Sequence, residues 1–153
     1  MRRSEKEVKD LSEIEAVLKR AAICRLGFSL ENIPYIVPMN FGYKDNCLYF
    51  HSAKEGKKID IISKNPNVCF EIEEDTELVI KDLACNCSMK YISIIGLGKV
   101  SLVEDPLDKK EALDIIMRQY TDNKSYAYSP KQIEAVTIFK VQISEMSCKK
   151  SGY

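Results

Sequence analysis

Between Tyr35 and Tyr43 the chain alternates without a break. Tyr35, Val37, Met39, Phe41 and Tyr43 fall on one side, and Ile36, Pro38, Asn40 and Gly42 on the other. A period of two is that of a half-buried β-strand. Pro38 has no N–H to give to a ladder, so the strand lies at an edge, is bulged there, or faces something other than a strand. Lys44-Asp45-Asn46 supplies a tight turn. Beyond it Cys47, Tyr49 and His51 point one way and Leu48, Phe50 and Ser52 the other, so the hairpin ends in the only histidine of the sequence.

A helix over residues 56–63 follows, opened by Ala53-Lys54-Glu55-Gly56-Lys57-Lys58. Free amides and the positive dipole end at a helix start attract an anion, and two lysines add point charges. With a single glycine this is not a Walker loop. Lys57 and Lys58 fit a solvated helix face equally well.

The rest of the chain repeats the theme of short strands with helices between them. Ser12-Glu13-Ile14-Glu15 reads as a capping box before a helix over 12–20 with a narrow apolar stripe, suited to lie over a sheet or barrel. Strands are expected over 22–28 and 68–72, separated from the organising hairpin and its helix by turns at 29–34 and 65–67. Residues 73–90 hold an acidic corner, an apolar run at 78–80, and Cys85-Asn86-Cys87. Without further cysteine or histidine nearby, two free thiols in a loop describe that pair better than zinc ligands do, and no metal is expected.

A long strand over 91–103 carries Ile92, Ile94, Val100 and Leu102 on the face shared by Gly96 and Gly98, which predicts a bulge or a close approach there. Gly96-x-Gly98 lacks the third glycine and the helix of a dinucleotide fingerprint. Asp105-Pro106 starts a helix whose apolar side is read as Leu107, Ala112, Leu113, Ile116 and Met117, Ser129-Pro130 caps a short turn, and a last strand runs over 136–144. Residues 1–10 and 148–153 are polar and expected to be flexible. The sum is a mainly β fold, a barrel of roughly six hairpin-linked strands with added helices, in one domain spanning 1–153.

Equal totals of 23 basic and 23 acidic residues give no basic surplus for nucleic acid. No apolar run reaches the ~18 residues of a membrane span, and the charged N-terminus is unlike a signal core, so a cytoplasmic protein is expected. Of the six cysteines, Cys24, Cys47 and Cys69 sit in strand patterns and are expected to be reduced and buried.

The segments 34–43, 48–58, 65–71 and 91–98 together resemble the nitroimidazole-resistance (Nim) branch of the pyridoxamine 5′-phosphate oxidase-related, FMN-binding split-barrel proteins. The likeness covers most of residues 20–120. It implies a six-stranded split barrel, a homodimer, and FMN at the subunit interface.

Transferred by position, Pro38, Met39, Asn40 and Phe41 would lie along the flavin ring, with Asn40 at its polar edge. His51, Ser52, Ala53, Lys57 and Lys58 would hold the ribityl chain and phosphate. Tyr91 and Ser93 would contact flavin, that of the partner subunit included. His51 is the candidate catalytic or substrate-facing group, since an imidazole exchanges protons near neutrality. A hydrogen-bonding structural role is its alternative.

The implied activity is FMN-dependent oxidoreduction of a small acceptor such as a nitroaromatic, with NAD(P)H docking transiently. Relatives carry a glycine-lysine pair after the last strand, where this chain has Ser147-Cys148-Lys149-Lys150. No arginine set for a vitamin B6 phosphate is present. Two other readings use the same barrel: a non-enzymatic module binding flavin, or haem through His51, and a dimeric scaffold with no cofactor.

Overall fold

A computed structural model describes residues 3–122 and 126–153. Two hairpins set its frame. β2 (Cys24–Leu30) and β3 (Ile33–Met39) are joined by Glu31 and Asn32 at φ 52° and 63°. β4 (Gly42–Lys44) and β5 (Cys47–Ser52) are joined by Asp45 and Asn46 at φ 51° and 58°. Two left-handed residues make the turn whose twist matches that of paired strands, and Asn and Asp tolerate that conformation. The 35–43 stretch is thus two strands, broken at Asn40 and Phe41.

The other strands are β1 (Glu7–Val8), β6 (Asn67–Val79), β7 (Ser88–Val103) and β8 (Thr137–Ser151). The order across the sheet is β3-β2-β6-β7-β8-β5-β4, with β1 added to β8. β3 and β4 stand at opposite ends of that order, yet only Asn40 and Phe41 separate them. A gap of three Cα steps spans at most ~11 Å, so the sheet must curl until its two edges converge at that corner. A split barrel follows: closed by a covalent crossover, with β3 and β4 not hydrogen-bonded to each other.

The resemblance anticipated six strands. The described residues form eight, because the organising strand breaks in two and the N-terminal segment supplies β1. Residues 1–10 and 148–153 are expected to be flexible; Met1 and Arg2 lie outside the described residues, while Glu7 and Val8 pair with Lys149 and Cys148, and Tyr91 of β7 pairs with Ser151. The last strand therefore runs seven residues beyond the end that its alternating core predicts. Its polar residues are held by ladder hydrogen bonds, which take no account of side-chain polarity. β6 likewise runs on through the acidic corner, with irregular register between Glu74 and Glu77.

Phe41, Phe50, Phe70, Phe139, Leu26, Leu48, Ile72 and Ile94 fill the barrel. The rings of Phe50 and Phe139 stack 5.2 Å apart. Gly96 and Gly98 do face inward at a bulge, where the pairing of β7 with β8 shifts between Leu97 and Gly98. What approaches them is the protein's own interior: a Cβ on Gly96 would lie 2.4 Å from the Phe70 ring, and one on Gly98 2.5 Å from Val141.

α1 (Leu11–Arg20) lays Ile14, Val17 and Leu18 on the barrel. Its cap is Asp10, whose carboxylate accepts from the Ser12 amide, and not the Ser12 box read from sequence. α3 (Pro106–Arg118) is capped by Asp105 as expected, but Leu107 is exposed and the helix buries Ala112, Asp114, Ile115 and Ile116. α4 (Pro130–Glu134) starts at a Ser129–Gln132 capping box. Cys24, Cys47 and Cys148 are buried and Cys69 is exposed on the outer face, the reverse of its predicted setting.

Candidate functional site

Where β3 meets the start of α2 (Lys57–Lys64), polar groups lack the partners found elsewhere in the barrel. β3 is an edge strand. Its two-residue turn makes Leu30–Ile33 a hydrogen-bonded pair, and pairs then alternate along the hairpin, so residues 34, 36 and 38 turn their backbone groups away from β2. Pro34 and Pro38 occupy two of these three outward positions, pairing with Ser29 and Arg25. Neither proline costs the ladder a bond. Together they leave the open edge rich in carbonyl acceptors, with the Ile36 N–H its one donor among residues 34, 36 and 38.

Pro38 and Asn40 are exposed, whereas Met39 and Phe41 point into the core at 8% and 0% exposure. Of the four residues transferred to the flavin ring, these last two can therefore offer only backbone.

β5 projects past its neighbour: β4 pairs only as far as Gly42–Tyr49, while His51 and Ser52 pair with Ile138 and Thr137 of β8. His51 faces outward, exposed, and its imidazole has no hydrogen bond among the described residues. Ser52 turns inward. It is 6% exposed, and its Oγ has no partner. A buried hydroxyl left unbonded costs about 1–3 kcal/mol, so this is a group a ligand can satisfy.

Ala53 is exposed and leads to Gly56, the N-cap of α2, at φ 129° and with nothing within 4 Å of a would-be Cβ. Glycine is needed there for its backbone angle, not for crowding. The amides of Ile59 and Asp60 both donate to the Gly56 carbonyl, at 2.8 and 3.1 Å. Those of Lys57 and Lys58 precede any intrahelical acceptor, and no side chain caps them. No ion pair among the described residues involves Lys57 or Lys58. The Lys57 ammonium lies over the Tyr35 ring, 4.5 Å from its centroid, which ties the helix start to β3.

Tyr91 and Ser93 do not join this corner. They lie half-buried on β7, three strands from β3, roughly 14 Å across the sheet at the usual strand spacing. Lys149 covers the Tyr91 ring at 5.3 Å. A separate 310 Å³ cavity between α3 and the sheet, lined by Tyr49, Glu104, Asp108, Glu111 and Lys140 among others, contains none of the anticipated residues.

Two residues at the corner escaped the sequence reading. Tyr35 was assigned only to an apolar face, although a lysine 22 positions on meets its ring. Tyr120 lies just beyond α3, and its hydroxyl accepts from the Phe41 amide at 2.9 Å and donates to the Ala22 carbonyl at 2.8 Å. Sequence separations of 79 and 98 residues leave no local signal for that contact.

A mainly β split barrel with this open corner defines the class, and the comparisons identify the family. The pyridoxamine 5′-phosphate oxidase family model matches residues 10–150, and the chain belongs to that family. Among solved structures, a candidate 5-nitroimidazole antibiotic resistance protein from Bacteroides thetaiotaomicron is 40% identical, with TM-score 0.84 over 94% of this chain and 85% of that one. The flavocytochrome Anf3 of Azotobacter vinelandii (22% identical, TM-score 0.86, 100% and 72% of the two chains) shares the fold. So does an FAD- and haem-binding protein of Mycobacterium smegmatis (15% identical, TM-score 0.86, 97% and 75%).

A curated relative, an uncharacterized protein of Rhizobium meliloti (strain 1021), is 36% identical over 62 residues, 40% of each chain. That match spans well under half of the relative. No helix among the described residues is long and apolar enough to cross a membrane.

Proposed function

We propose that this chain is an FMN-binding flavoprotein that passes electrons from reduced flavin to a small acceptor such as a nitroaromatic. The observation that carries the reading is the α2 corner: an uncapped helix start, two lysines without carboxylates, and the unpartnered Ser52 hydroxyl. These groups fit a phosphate dianion. One helix start and two lysines match the single phosphate of FMN, and Lys57 already covers the Tyr35 ring that an adenine would otherwise find for stacking.

In this reading Ser52, Ala53, Lys57 and Lys58 bind the phosphate end. The open β3 edge, with Pro38 and Asn40, meets the polar edge of the ring. His51, exposed beside that corner, holds a proton for the acceptor. When bound, FMN supplies the electrons: two of them, with two protons, turn a nitro group into nitroso and water, and NAD(P)H is the external hydride donor.

The partner is a second copy of the chain. Ile36 and Leu97, 65% and 46% exposed, stand at the ends of an outer row that runs Ile36–Gly27–Cys69–Leu97 across β3, β2, β6 and β7. Ile95 lies on the same face of β7, 57% exposed. An uncovered apolar row four strands wide suits a two-fold interface. Tyr91 and Ser93 share that face, which would bring them to the other subunit's flavin.

Absorption of the freshly purified protein, followed by heat release and identification of the chromophore, is the first test. FMN at about one per chain supports the reading, and nitroaromatic reduction by wild type and His51→Gln then tests the acceptor. FAD would correct the cofactor. A colourless protein that takes up no added flavin would refute the cofactor assignment. An unbonded, exposed imidazole at the corner also fits an axial haem ligand, and a Soret band lost in His51→Ala would favour that second reading. Light scattering of Leu97→Glu against wild type tests the dimer.

A further inference from the structure

We infer that Tyr120 is a positioning residue of the flavin corner, holding the Asn40–Phe41 crossover in the conformation that meets the ring. The inference rests on the flavin reading above.

Asn40 and Phe41 lie between the last residue of β3 and the first of β4, so no strand ladder claims their peptide group. The Tyr120 hydroxyl claims it instead, accepting the Phe41 N–H at 2.9 Å while donating to the Ala22 carbonyl at 2.8 Å. One phenol thus ties the loop entering β2 to the segment leaving β3. Its own place is fixed by the end of α3: the Tyr120 amide donates to the Met117 carbonyl at 3.0 Å. The neighbouring Gln119 side-chain amide donates through Nε2 to the Leu18 and Ala21 carbonyls at 2.7 and 2.8 Å.

Because the peptide is planar and trans, aiming the Phe41 N–H at Tyr120 turns the Asn40 carbonyl the opposite way. The hydroxyl therefore sets which backbone group of the crossover faces away from the helix, next to the edge where Pro38 has already removed a donor. The Phe41 ring is fully buried, so the side chain anchors the residue but does not fix the rotation of the peptide before it. Without the hydroxyl the Phe41 N–H loses its partner and that rotation is no longer set.

The test compares Tyr120→Phe with Gln119→Ala in the full chain. Both cut hydrogen bonds from the residues just beyond α3, Gln119→Ala those to Leu18 and Ala21 at the end of α1 and Tyr120→Phe that to Ala22 beyond it, but only Tyr120→Phe touches the crossover. Flavin affinity is titrated with FMN and with riboflavin, the visible spectrum of the bound form is recorded, and Tm is measured without ligand.

The expected result is a Tm loss in both variants, with weaker binding of both ligands by roughly five- to tenfold and a shifted visible band only in Tyr120→Phe. Equal weakening in the two variants, or unchanged binding and spectrum in Tyr120→Phe, overturns the inference and leaves the flavin reading standing. Wild type that takes up no flavin overturns both. If Tyr120→Phe does not fold, amide exchange of residues 40–42 in wild type decides: slowing on flavin addition supports the positioning role, and unchanged exchange refutes it.

Discussion

Gly96 and Gly56 differ in what surrounds them, and the difference separates two regions of one barrel. A Cβ on Gly96 would strike the Phe70 ring at 2.4 Å and the Glu145 carbonyl at 2.8 Å, whereas one on Gly56 would meet nothing within 4 Å. Around Gly96 three long strands satisfy one another's backbones and the side chains fill the interior. Around Gly56 the first helical amides and a buried serine hydroxyl have no partner among the described residues, and two lysines have no carboxylate, Lys57 lying instead over the Tyr35 ring. The closed region spends its interactions on folding. The open corner retains unmet polar capacity, the physical mark of a place that binds something else.

The largest effect expected from this contrast is on the closed side. Gly96→Ala must displace a buried ring and a strand carbonyl, at a cost of about 2 kcal/mol or more. A fall in Tm of roughly 4–10 °C is expected for a chain of this size. Calorimetry showing no change would mean the β7–β8 bulge is looser than its contacts indicate.

At the corner the signs reverse. Replacing Lys57 and Lys58 together by Met is expected to weaken FMN binding by roughly ten- to a hundredfold, leave riboflavin uptake unchanged, and barely move Tm, since neither lysine has an ion-pair partner to lose. Equal loss for both ligands would place the phosphate elsewhere. Ser52→Ala should be smaller still: Tm unchanged or slightly raised, because an unsatisfied hydroxyl is removed, and FMN affinity reduced by roughly fivefold.

Alkali sharpens the contrast last. Burial, the leading cause at each, pushes the Cys24, Cys47 and Cys148 thiols above their ordinary value of 9.0. Above that pH the unfolded chain releases these protons while the folded chain keeps them, so their contribution to stability is full below 9.0 and is lost as pH rises beyond it. Urea midpoints should fall between pH 8 and pH 10.5. Serine at all three positions should flatten that slope.

Local chemistry made much of this legible in advance. The alternation at 35–43, the Asp45-Asn46 turn, the Asp105 and Ser129 caps and the helix opened by Gly56-Lys57-Lys58 are set by residues within a turn or two of one another. Sequence patterning could therefore find them, and it found the candidate phosphate residues with them. It failed where hydrogen bonding disregards side-chain character. The polar residues 145–151 continue a strand because β7 and β1 supply backbone partners, and Asn40 and Phe41 interrupt one because the sheet must close there.

Only the folded chain decided that Met39 and Phe41 turn into the core, that Tyr91 and Ser93 stand three strands from β3, about 14 Å across the sheet, and that Tyr120 reaches the crossover from 79 residues away. A period of two tells which residues share a face, but not which face a neighbour covers. A ring, a carbonyl or a phenol that arrives from a distant segment leaves no trace in local spacing. The sequence by itself determined the alternating strand cores, the tight turns and the helix start at Gly56-Lys57-Lys58. Barrel closure determined which of those groups remained without a partner.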